Sequence, residues 1–351
     1  MQALVKYAPG AGNMEVRPIP EPVPGPGQVL LQVAYAGICG SDMHIYAGAI
    51  EFKKYPLVPG HEISGTIAAT GPGVKDWRVG ERVTTEHTFS TCGRCLYCRR
   101  GEYQECAARQ SLGFDINGGF AEYVLAASDM LHRLPENLPL EAAALSEPLA
   151  SAVHAVSKAG ISWGDNVLVI GPGTIGQLAA QVAKAEGGRV FVIGTEADAE
   201  RLQVAKSLGA DYTFALGEKA EEGVKDTLLA LTAGYGPDIV LECSGSRSGA
   251  ALGLEIIRRQ GTYIQVGLFG RPVELDYEQI SYKELIVNGI FCHNWPDWEK
   301  ALALMAAGRI GYRQLITTSL PLAEWQEGFQ MMAEHKGLKI LLAPGEGEHS
   351  L

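Results

Sequence analysis

Four cysteines lie within sixteen residues of the chain, in the stretch TCGRCLYCRRGEYQEC (91–106). Their spacing is C-x2-C-x2-C-x7-C, and they are four of the seven cysteines in the sequence. Two-residue spacers let neighbouring thiolates converge on one ion, and four thiolates are typical of zinc or of an iron–sulfur cluster. A ferredoxin pattern places its last cysteine soon after the third and often before proline, whereas here Ala107 follows. The spacing favours zinc, held by Cys92, Cys95, Cys98 and Cys106.

A zinc ion with four cysteine ligands has no coordination position left for a substrate. We therefore expect this zinc to be structural and to pin a lobe at 91–107, which has few apolar residues. Any chemistry must come from residues elsewhere in the chain.

Composition limits the partners and the location of the protein. The formal net charge of -11 at pH 7 argues against nucleic acid or an anionic membrane as a main partner. The longest apolar runs, such as 167–170, are too short to span a bilayer. The N-terminal stretch MQALVKYAPG has no long apolar core, so we expect no signal peptide and a cytoplasmic protein. Cysteines stay reduced in the cytoplasm, which again favours metal binding over disulfides.

The chain has 351 residues, more than one hydrophobic core usually serves, so two domains are expected. Residues 29–83 consist of short β-branched runs broken by Gly and Pro, which predicts a β-barrel or sandwich. GGFAEYVLA (118–126) predicts one more strand of this kind. Residues 285–351 hold a strand, two short helices and a last strand, too little for a separate core. We expect this C-terminal segment to pack on the first domain.

After about residue 150, buried strands alternate with helices, which predicts a parallel sheet covered by helices on both faces. Strands are expected at 166–170, 190–193, 239–243 and 263–266, and helices at 174–186 and 199–208.

The stretch GPGTIG (171–176) directly follows the apolar run NVLVI and opens a predicted helix. GPG also occurs at 25–27 and 71–73, but only the third copy completes G-x-G-x-x-G between a strand and a helix. The glycines allow a tight turn and the close approach of a pyrophosphate, which the N–H groups of the helix N-terminus bind. The motif predicts a dinucleotide site at Gly171, Pro172, Gly173, Thr174, Ile175 and Gly176.

An acidic residue about 20 positions after the last glycine normally binds the adenine ribose. Here the second strand ends in VFVIGTEADAER, which places Thr195 and Glu196 at that distance. The glutamate favours NAD, whereas Thr195 at the strand end and Arg201 downstream can admit the 2′-phosphate of NADP. We lean to NAD and leave NADP open.

Three more stretches combine metal-ligating and titratable residues: AGICGSDMHIY (36–46), PGHEISG (59–65) and LSEPLASAVHA (145–155). A zinc ion with an open coordination position is a Lewis acid that can stabilise the alkoxide from which a hydride leaves. Together with the cysteine lobe and GPGTIG, and over nearly the whole chain, these motifs resemble the zinc-dependent medium-chain alcohol dehydrogenases. The similarity is to the branch of sorbitol (polyol) and threonine dehydrogenases.

The resemblance implies an α/β protein with a GroES-like β-domain and a Rossmann domain, which is a doubly wound parallel sheet. The GroES-like catalytic domain is expected at 1–150 plus 287–351, with the structural zinc lobe at 91–107, and the Rossmann domain at 151–286. Bacterial members of this family are often tetramers, so we expect a homotetramer.

The resemblance also implies a second, catalytic zinc. Carried over by position, Cys39, His61 and Glu62 would hold it, and Glu147 would be a fourth ligand or would hold zinc-bound water. We assign no functional role to His87, because no motif surrounds it.

The proton path and the nicotinamide side follow from the same resemblance. Ser41 would take the alcohol proton, His44 would pass it to solvent, and Asp42 has no assigned role. The nicotinamide would be lined by residues at two later strand ends: Cys243, Ser244, Gly245, Val266, Gly267 and Leu268.

The expected reaction is NAD(P)-dependent oxidation of a secondary alcohol of a small polyol to a ketone, or its reverse. Ser41 and the E-P-L stretch resemble polyol enzymes more than threonine dehydrogenases. Animal polyol enzymes usually carry an Arg where Cys292 stands, so L-threonine, vicinal diols and sugar acids stay open. A phosphorylated substrate is also open, although the sequence shows no dedicated basic cluster. The alternative from another class is a non-catalytic nucleotide-binding protein, but such relatives usually lose the zinc ligands that this chain keeps.

Overall fold

The structure is a computed structural model that describes residues 1–217 and 221–345 of the chain. The described residues form seventeen strands and eleven α-helices. The strands are β1 Gln2–Lys6, β2 Met14–Pro18, β3 Gln28–Gly37, β4 Glu62–Thr70, β5 Arg82–Thr85, β6 Thr88–Ser90, β7 Gln110–Ser111, β8 Tyr123–Ala127, β9 Leu131–Arg133, β10 Asn166–Ile170, β11 Arg189–Thr195, β12 Tyr212–Leu216, β13 Ile239–Glu242, β14 Thr262–Gln265, β15 Ile286–Gly289, β16 Ile316–Pro321 and β17 Lys339–Ala343.

The longer helices all lie after residue 145. They are α1 Gly40–Tyr46, α2 Leu96–Arg100, α3 Leu140–Ala143, α4 Ser146–Ala159, α5 Thr174–Ala185, α6 Ala199–Ser207, α7 Glu221–Leu231, α8 Arg247–Ile256, α9 Glu278–Tyr282, α10 Trp295–Ala306 and α11 Trp325–Ala333. Within the described ranges, none of these helices has both the length and the apolar character that crossing a membrane requires.

The chain divides into two compact units, and both are discontinuous in sequence. Unit 1 comprises Met1–Glu147, Asn294–Ala306 and the chain from Tyr312 onward, while unit 2 comprises Pro148–His293 and Ala307–Gly311. The last residues assigned to the first domain from sequence, 346–351, lie outside the described residues.

Unit 1 is built on a seven-stranded sheet in which β16, β17, β3, β4, β5 and β9 follow one another and β8 also pairs with β3. The strands predicted from the β-branched runs are present as β3, β4, β5 and β8. Their buried residues, among them Val29, Leu31, Val33, Ile63 and Ile67, form the core of the unit. The C-terminal strand β17 pairs antiparallel with β3, so the end of the chain completes the sheet that carries the first metal-ligand motif.

Unit 2 contains six parallel strands in the order β12-β11-β10-β13-β14-β15. Counted from β10, this is the order 3-2-1-4-5-6 of the Rossmann fold, a doubly wound α/β sheet, as expected. The central strand β10 is buried along Val167 to Ile170, as is usual for a parallel strand covered on both faces. The strand at 286–289 was expected in the C-terminal segment, but it pairs with β14 as the sixth strand of this sheet. A sequence pattern identifies a strand but not the sheet that it joins.

A buried hydrogen-bond network anchors the cysteine lobe to the sheet of unit 1. The hydroxyl of Tyr103, in the lobe, donates to the Glu86 carboxylate, with distances of 2.7 and 2.8 Å to its two oxygens. His132 of β9 places Nε2 3.2 Å from Glu86 and Nδ1 3.0 Å from Glu299. The His132 ring stacks on Trp298 with a centroid distance of 5.0 Å. Glu86 is fully buried, so these partners stabilise a charge that burial would otherwise disfavour.

Replacing Tyr103 with Phe is expected to lower the free energy of unfolding by about 1–2 kcal/mol, because the buried Glu86 carboxylate loses a donor. Tyr97→Phe is the matched control, since Tyr97 lies in the same lobe with 43% of its surface exposed. Chemical denaturation of the two variants measures the difference. Equal stability of the two would show that the network does not anchor the lobe.

Candidate functional site

The four cysteines of the lobe are arranged as a tetrahedral metal site requires. Their Sγ atoms all lie within 4.8 Å of one another. Cys95 and Cys98 have an Sγ–Sγ distance of 3.4 Å, and Cys92 and Cys98 one of 3.9 Å. A tetrahedral ion with metal–sulfur bonds of about 2.3 Å needs sulfurs about 3.8 Å apart. The lobe therefore fits zinc.

Backbone N–H groups favour the thiolate form at Cys92, whereas burial and the neighbouring thiols outweigh the backbone donor at Cys95 and raise the pKa of that thiol to about 11. The N–H groups of Arg94 and Cys95 point at Cys92 Sγ and lower the pKa of that thiol to about 6. Cys95 Sγ caps helix α2 by accepting from the N–H of Cys98. The two-residue spacing thus aims backbone donors at the sulfurs as well as bringing the sulfurs together.

A second ligand set lies in the core of unit 1. Cys39, His61 and Glu62 each offer one atom, and these atoms lie within 4.8 Å of one another. Cys39 is the N-cap of α1, directly after β3, and His61 and Glu62 stand at the start of the neighbouring strand β4. The antiparallel pairing of β3 with β4 brings the two motifs together although 22 positions separate Cys39 from His61 in the chain.

Asp42 fixes the position of Cys39. Its Oδ2 accepts a hydrogen bond of 2.9 Å from the Cys39 N–H, which closes a capping box at the start of α1. Asp42 is fully buried, and burial raises the pKa of its carboxyl. The sequence analysis gave Asp42 no role, although an acid three residues after an N-cap is the usual sign of this arrangement.

The Glu62 carboxylate forms a salt bridge with a lysine from the C-terminal part of the chain. Lys339, the first residue of β17, lies 2.7 Å from both Glu62 oxygens and is 2% exposed. Its Nζ also donates to the carbonyl of Ile38 at 3.0 Å. A carboxylate has about four lone-pair directions, so Glu62 can accept from Lys339 and still face a metal. Lys339 was not among the residues predicted from the sequence, where its only signal is a cation in the apolar run LKILLA.

Gly37 makes room for this carboxylate. It lies opposite Glu62 in the β3–β4 pairing, and a Cβ at Gly37 would sit 1.9 Å from Glu62 Oε2. Any side chain at position 37 would therefore collide with the Glu62 carboxylate.

The electrostatics of this second set call for a divalent cation. Asp42, Glu62 and Glu147 are buried and interact electrostatically with His61, and buried carboxylates are costly to ionise unless a cation compensates them. Burial opposes a charge on His61, but the hydrogen bond to Cys39 and the surrounding acids outweigh it and raise the pKa of His61 to about 10. Within the described residues, His61 Nδ1 has no hydrogen-bond partner although it is buried. Zinc fits these thiolate, imidazole and carboxylate ligands.

Glu147 stands beside the three-residue ligand set rather than in it. It lies in the first turn of α4, and its Oε1 is 3.3 Å from Nδ1 of His87. The His87 ring lies 5.8 Å from the His61 ring in an edge-on arrangement, and its Nε2 is 3.2 Å from Nη1 of Arg109. His87, to which the sequence analysis gave no functional role, therefore connects Glu147 with the metal ligands. Only the tertiary structure could reveal this contact, because His87 follows β5 in a stretch without a motif.

Ser41 and His44 lie one turn apart on α1, which begins at the Cys39 cap. The hydroxyl of Ser41 is buried and has no partner among the described residues. The His44 side chain is exposed. A hydroxyl with unused hydrogen-bonding capacity next to Cys39, followed by an exposed imidazole, suits transfer of a proton from a buried centre to water.

The GPGTIG loop forms a cradle that side chains would fill. It connects β10 with α5, as predicted, and Gly173 is the N-cap of the helix. Gly171 has φ +99, and a Cβ there would lie 2.7 Å from the Ser244 nitrogen. A Cβ at Gly176 would lie 1.9 Å from the Gly171 carbonyl oxygen, whereas Gly173 faces open space. Pro172, Thr174 and Ile175 complete the turn, so the helix N–H groups stay accessible to a pyrophosphate.

The end of β11 carries the candidate ribose contacts. Thr195 caps the short helix Glu196–Asp198, with its N–H and hydroxyl 2.9 and 2.8 Å from Asp198 Oδ2. Glu196 is exposed at this strand end, as a ribose ligand must be. Arg201 lies near Asp198, with Nη1 3.5 Å from Oδ1.

A buried glutamate, Glu242, organises the two loops predicted to line the nicotinamide. Its carboxylate accepts from the Ser244 N–H at 2.9 Å, the Gly245 N–H at 3.1 Å and Gln265 Nε2 at 2.7 Å. Its carbonyl accepts from Val266 and Gly267, so the turns after β13 and β14 share one anchor.

The other predicted residues of these loops differ in burial. Burial raises the pKa of the Cys243 thiol, which therefore stays protonated. Leu268 is 83% exposed at the end of the second loop, where an apolar side chain can meet a ligand.

Comparison with known proteins gives full-length relatives. Residues 25–136 match the alcohol dehydrogenase GroES-like domain and residues 174–307 match the zinc-binding dehydrogenase domain. A sorbitol dehydrogenase of Halalkalibacterium halodurans is 43% identical over 345 residues, which are 98% of this chain and 99% of that protein. This chain belongs to the zinc-binding alcohol dehydrogenase family.

Two further members of the zinc-binding alcohol dehydrogenase family are similar over their whole length. A D-arabitol-phosphate dehydrogenase of Enterococcus avium is 40% identical over 344 residues, 97% of both chains. The crystal structure of galactitol-1-phosphate dehydrogenase from Escherichia coli superposes with a TM-score of 0.89 at 30% identity and covers 98% of this chain and 100% of that one. The chain is thus a zinc-binding dehydrogenase, as the motifs predicted.

In this dehydrogenase, Gly176→Ala is expected to lower the free energy of unfolding by about 1–3 kcal/mol, because the new Cβ collides with the Gly171 carbonyl. Gly173→Ala is the matched control: its Cβ meets open space, so stability should be kept. If a dinucleotide approaches this backbone, Gly173→Ala should still weaken NADH binding. Thermal unfolding and NADH fluorescence titration separate the two effects, and unchanged stability of Gly176→Ala would contradict the packing described.

Proposed function

We propose that the protein is a zinc- and NAD(P)-dependent polyol dehydrogenase that interconverts a secondary alcohol of a small polyol and its ketone. The observation that carries the proposal is the ligand set of Cys39, His61 and Glu62, of which His61 and Glu62 are buried, near the Ser41 hydroxyl, which has no hydrogen-bond partner among the described residues. The names of the relatives, sorbitol and D-arabitol-phosphate dehydrogenase, support a polyol as the substrate class.

Two zinc ions per subunit are proposed, with different tasks. Cys92, Cys95, Cys98 and Cys106 would hold the structural ion, and Cys39, His61 and Glu62 would hold the catalytic one. Glu147 would face the remaining coordination position from its place beside His87. When bound, zinc supplies Lewis acidity toward the alcohol oxygen, and the oxidised nicotinamide supplies the acceptor for the hydride.

The residues of the chain would move the proton. As the carbonyl forms, the substrate hydroxyl proton passes to Ser41 Oγ, whose own proton leaves through His44 to water. Asp42 keeps Cys39 and the start of α1 in place during this transfer. Lys339 holds the Glu62 carboxylate in one orientation toward the metal position.

The dinucleotide would bind unit 2. Gly171, Gly173 and the α5 N-terminus would cradle the pyrophosphate, and the loops anchored by Glu242 would receive the nicotinamide. Glu196 supports NAD over NADP, because its exposed carboxylate can accept from ribose hydroxyls and would repel a 2′-phosphate. Thr195 and Arg201 would lie at the same end of the ribose.

The proposed organisation keeps the GroES-like catalytic domain expected at 1–150 plus 287–351 and the Rossmann domain expected at 151–286, except that β15 belongs to the Rossmann domain because it pairs with β14. We further propose a cytoplasmic homotetramer whose partners are small molecules, with neither nucleic acid nor membrane among them. The acidic net charge of -11 is the support for excluding polyanionic partners.

The test of the proposed function is nicotinamide reduction with polyols, vicinal diols, sugar acids and L-threonine, with NAD+ and NADP+ in parallel. Turnover is expected on polyols, with NAD+ preferred, and Cys39→Ser should abolish it because the catalytic ligand set is broken. Turnover confined to threonine or to sugar acids would show that polyols are not the substrate class. No turnover on any of them, and no effect of Cys39→Ser on zinc content, would favour a non-catalytic nucleotide-binding protein.

Zinc content distinguishes the two sites. Cys39→Ser and Cys98→Ser are each expected to reduce zinc from two ions to one per subunit by atomic emission. The two variants are controls for each other: Cys98→Ser should also lower the unfolding temperature, because the lobe depends on the metal for its structure. Loss of both ions from either variant would contradict independent sites.

A further inference from the structure

A basic cavity lies in unit 1 close to the catalytic ligand set. It has a volume of about 410 Å³, and its charged lining residues are Lys53, Lys54, Arg109 and Asp115. Lys53 and Lys54 are exposed, and Lys53 Nζ lies 3.1 Å from Asp115 Oδ1. Three cations therefore face one carboxylate, in a chain whose net charge is -11. Such a wall is suited to an anion.

Two residues of the cavity wall also touch the surroundings of the metal ligands. The Phe114 ring lines the cavity and lies 5.2 Å from the ring of His61. Arg109 lines the cavity and places Nη1 3.2 Å from His87 Nε2, on the side of His87 opposite Glu147. One aromatic ring thus separates the cavity from the catalytic ligand His61, and one imidazole separates Arg109 from Glu147.

This juxtaposition limits what the cavity can hold. A polyol whose reacting carbon lies at the metal centre extends only a short carbon chain away from it, so a subsite for its far end must lie, as this cavity does, beside a residue that contacts a metal ligand. A phosphate monoester at that end carries about −1.5 to −2 charges at pH 7 and three acceptor oxygens. Lysine and arginine donors match this group, and charge-assisted hydrogen bonds are the strong ones.

We propose that the cavity lined by Lys53, Lys54 and Arg109 binds the terminal phosphate of a phosphorylated polyol, so that the substrate class of this enzyme is the polyol phosphates. This inference rests on the proposed function, since it assumes that the polyol is oxidised at Cys39, His61 and Glu62. Asp115 orients Lys53 and accepts from the N–H of Ser111 at 3.2 Å. No covalent step takes place in this cavity, which only positions the substrate.

The sequence gives no sign of this cavity. Lys53 and Lys54 lie in the loop after α1, and Arg109 lies 55 positions further on, just before β7. Each of these stretches by itself is an ordinary charged surface segment. Only the folded unit 1 places them around one cavity.

The test compares each polyol with its own phosphate ester: sorbitol, D-arabitol and galactitol against sorbitol 6-phosphate, D-arabitol 5-phosphate and galactitol 1-phosphate. We expect kcat/KM to be at least about tenfold higher for an ester, mainly through KM, because the phosphate contacts do not change as the reaction proceeds. The preference should shrink at high ionic strength, because exposed lysines are screened. The double variant Lys53→Ala/Lys54→Ala should lose about tenfold in kcat/KM on the ester and nothing on the free polyol.

Lys75→Ala is the matched control, since Lys75 is an exposed lysine of unit 1 that does not line the cavity. It should leave both substrates unaffected. If the double variant fails to fold, Lys54→Ala and the ionic-strength dependence of the unaltered enzyme give the same test.

Two outcomes overturn the proposal in different ways. Efficient turnover of free polyols without preference for their esters, or an ester preference that survives Lys53→Ala/Lys54→Ala, removes the phosphate site and leaves the polyol dehydrogenase intact. Turnover of neither class by protein that retains zinc and binds NADH removes the proposed function and the phosphate site together.

Discussion

The buried carboxylate of Glu62 links three parts of unit 1, namely its own strand β4, Lys339 of β17 and Gly37 of β3. Its oxygens lie 2.7 Å from Lys339, whose position is 277 residues away in the chain. A buried ion pair of this kind is costly to break from one side, by about 3–5 kcal/mol, because the remaining charge is left without compensation. The C-terminal strand β17 must therefore pair with β3, and Gly37 must lack a side chain where the carboxylate lies. The metal-ligand set and the completion of the sheet are parts of one arrangement.

The same charge balance explains why the site suits a metal. Buried acids and a thiol surround His61, and their hydrogen bond and charges raise the pKa of its imidazole. A divalent cation held there would compensate the same acidic groups and satisfy the ligand atoms at once. Asp42 and Lys339 act on the ligands rather than on the metal: one fixes the cap that carries Cys39, the other fixes the orientation of Glu62.

The two candidate metal sites differ in how they are assembled. The lobe gathers its four sulfurs from a single stretch of chain, with backbone N–H groups pointed at them by short turns. Tyr103 then attaches it to the sheet through the buried Glu86. The candidate catalytic set needs the N-cap of α1, the start of β4 and Lys339 of β17 together, so it forms only when unit 1 has folded. The geometry of the cysteine lobe is thus set locally, whereas the geometry of the second ligand set depends on the fold of unit 1.

The sequence alone determined what depends on short-range spacing. The C-x2-C-x2-C turns and the strand–GPGTIG–helix unit predicted the cysteine lobe and the Rossmann fold, because each pattern encodes a local geometry. The residues of the second ligand set were predicted only through the resemblance to a family. Tertiary structure alone decided the partners that meet across the sheet. These partners are Lys339 with Glu62, His87 with Glu147, and β15 with β14 of the parallel sheet. None of them was predicted, because pairing between distant residues leaves no periodic pattern in the sequence. The basic cavity belongs to the same class: three cations from two unremarkable loops become a candidate phosphate site only when folding places them around one space.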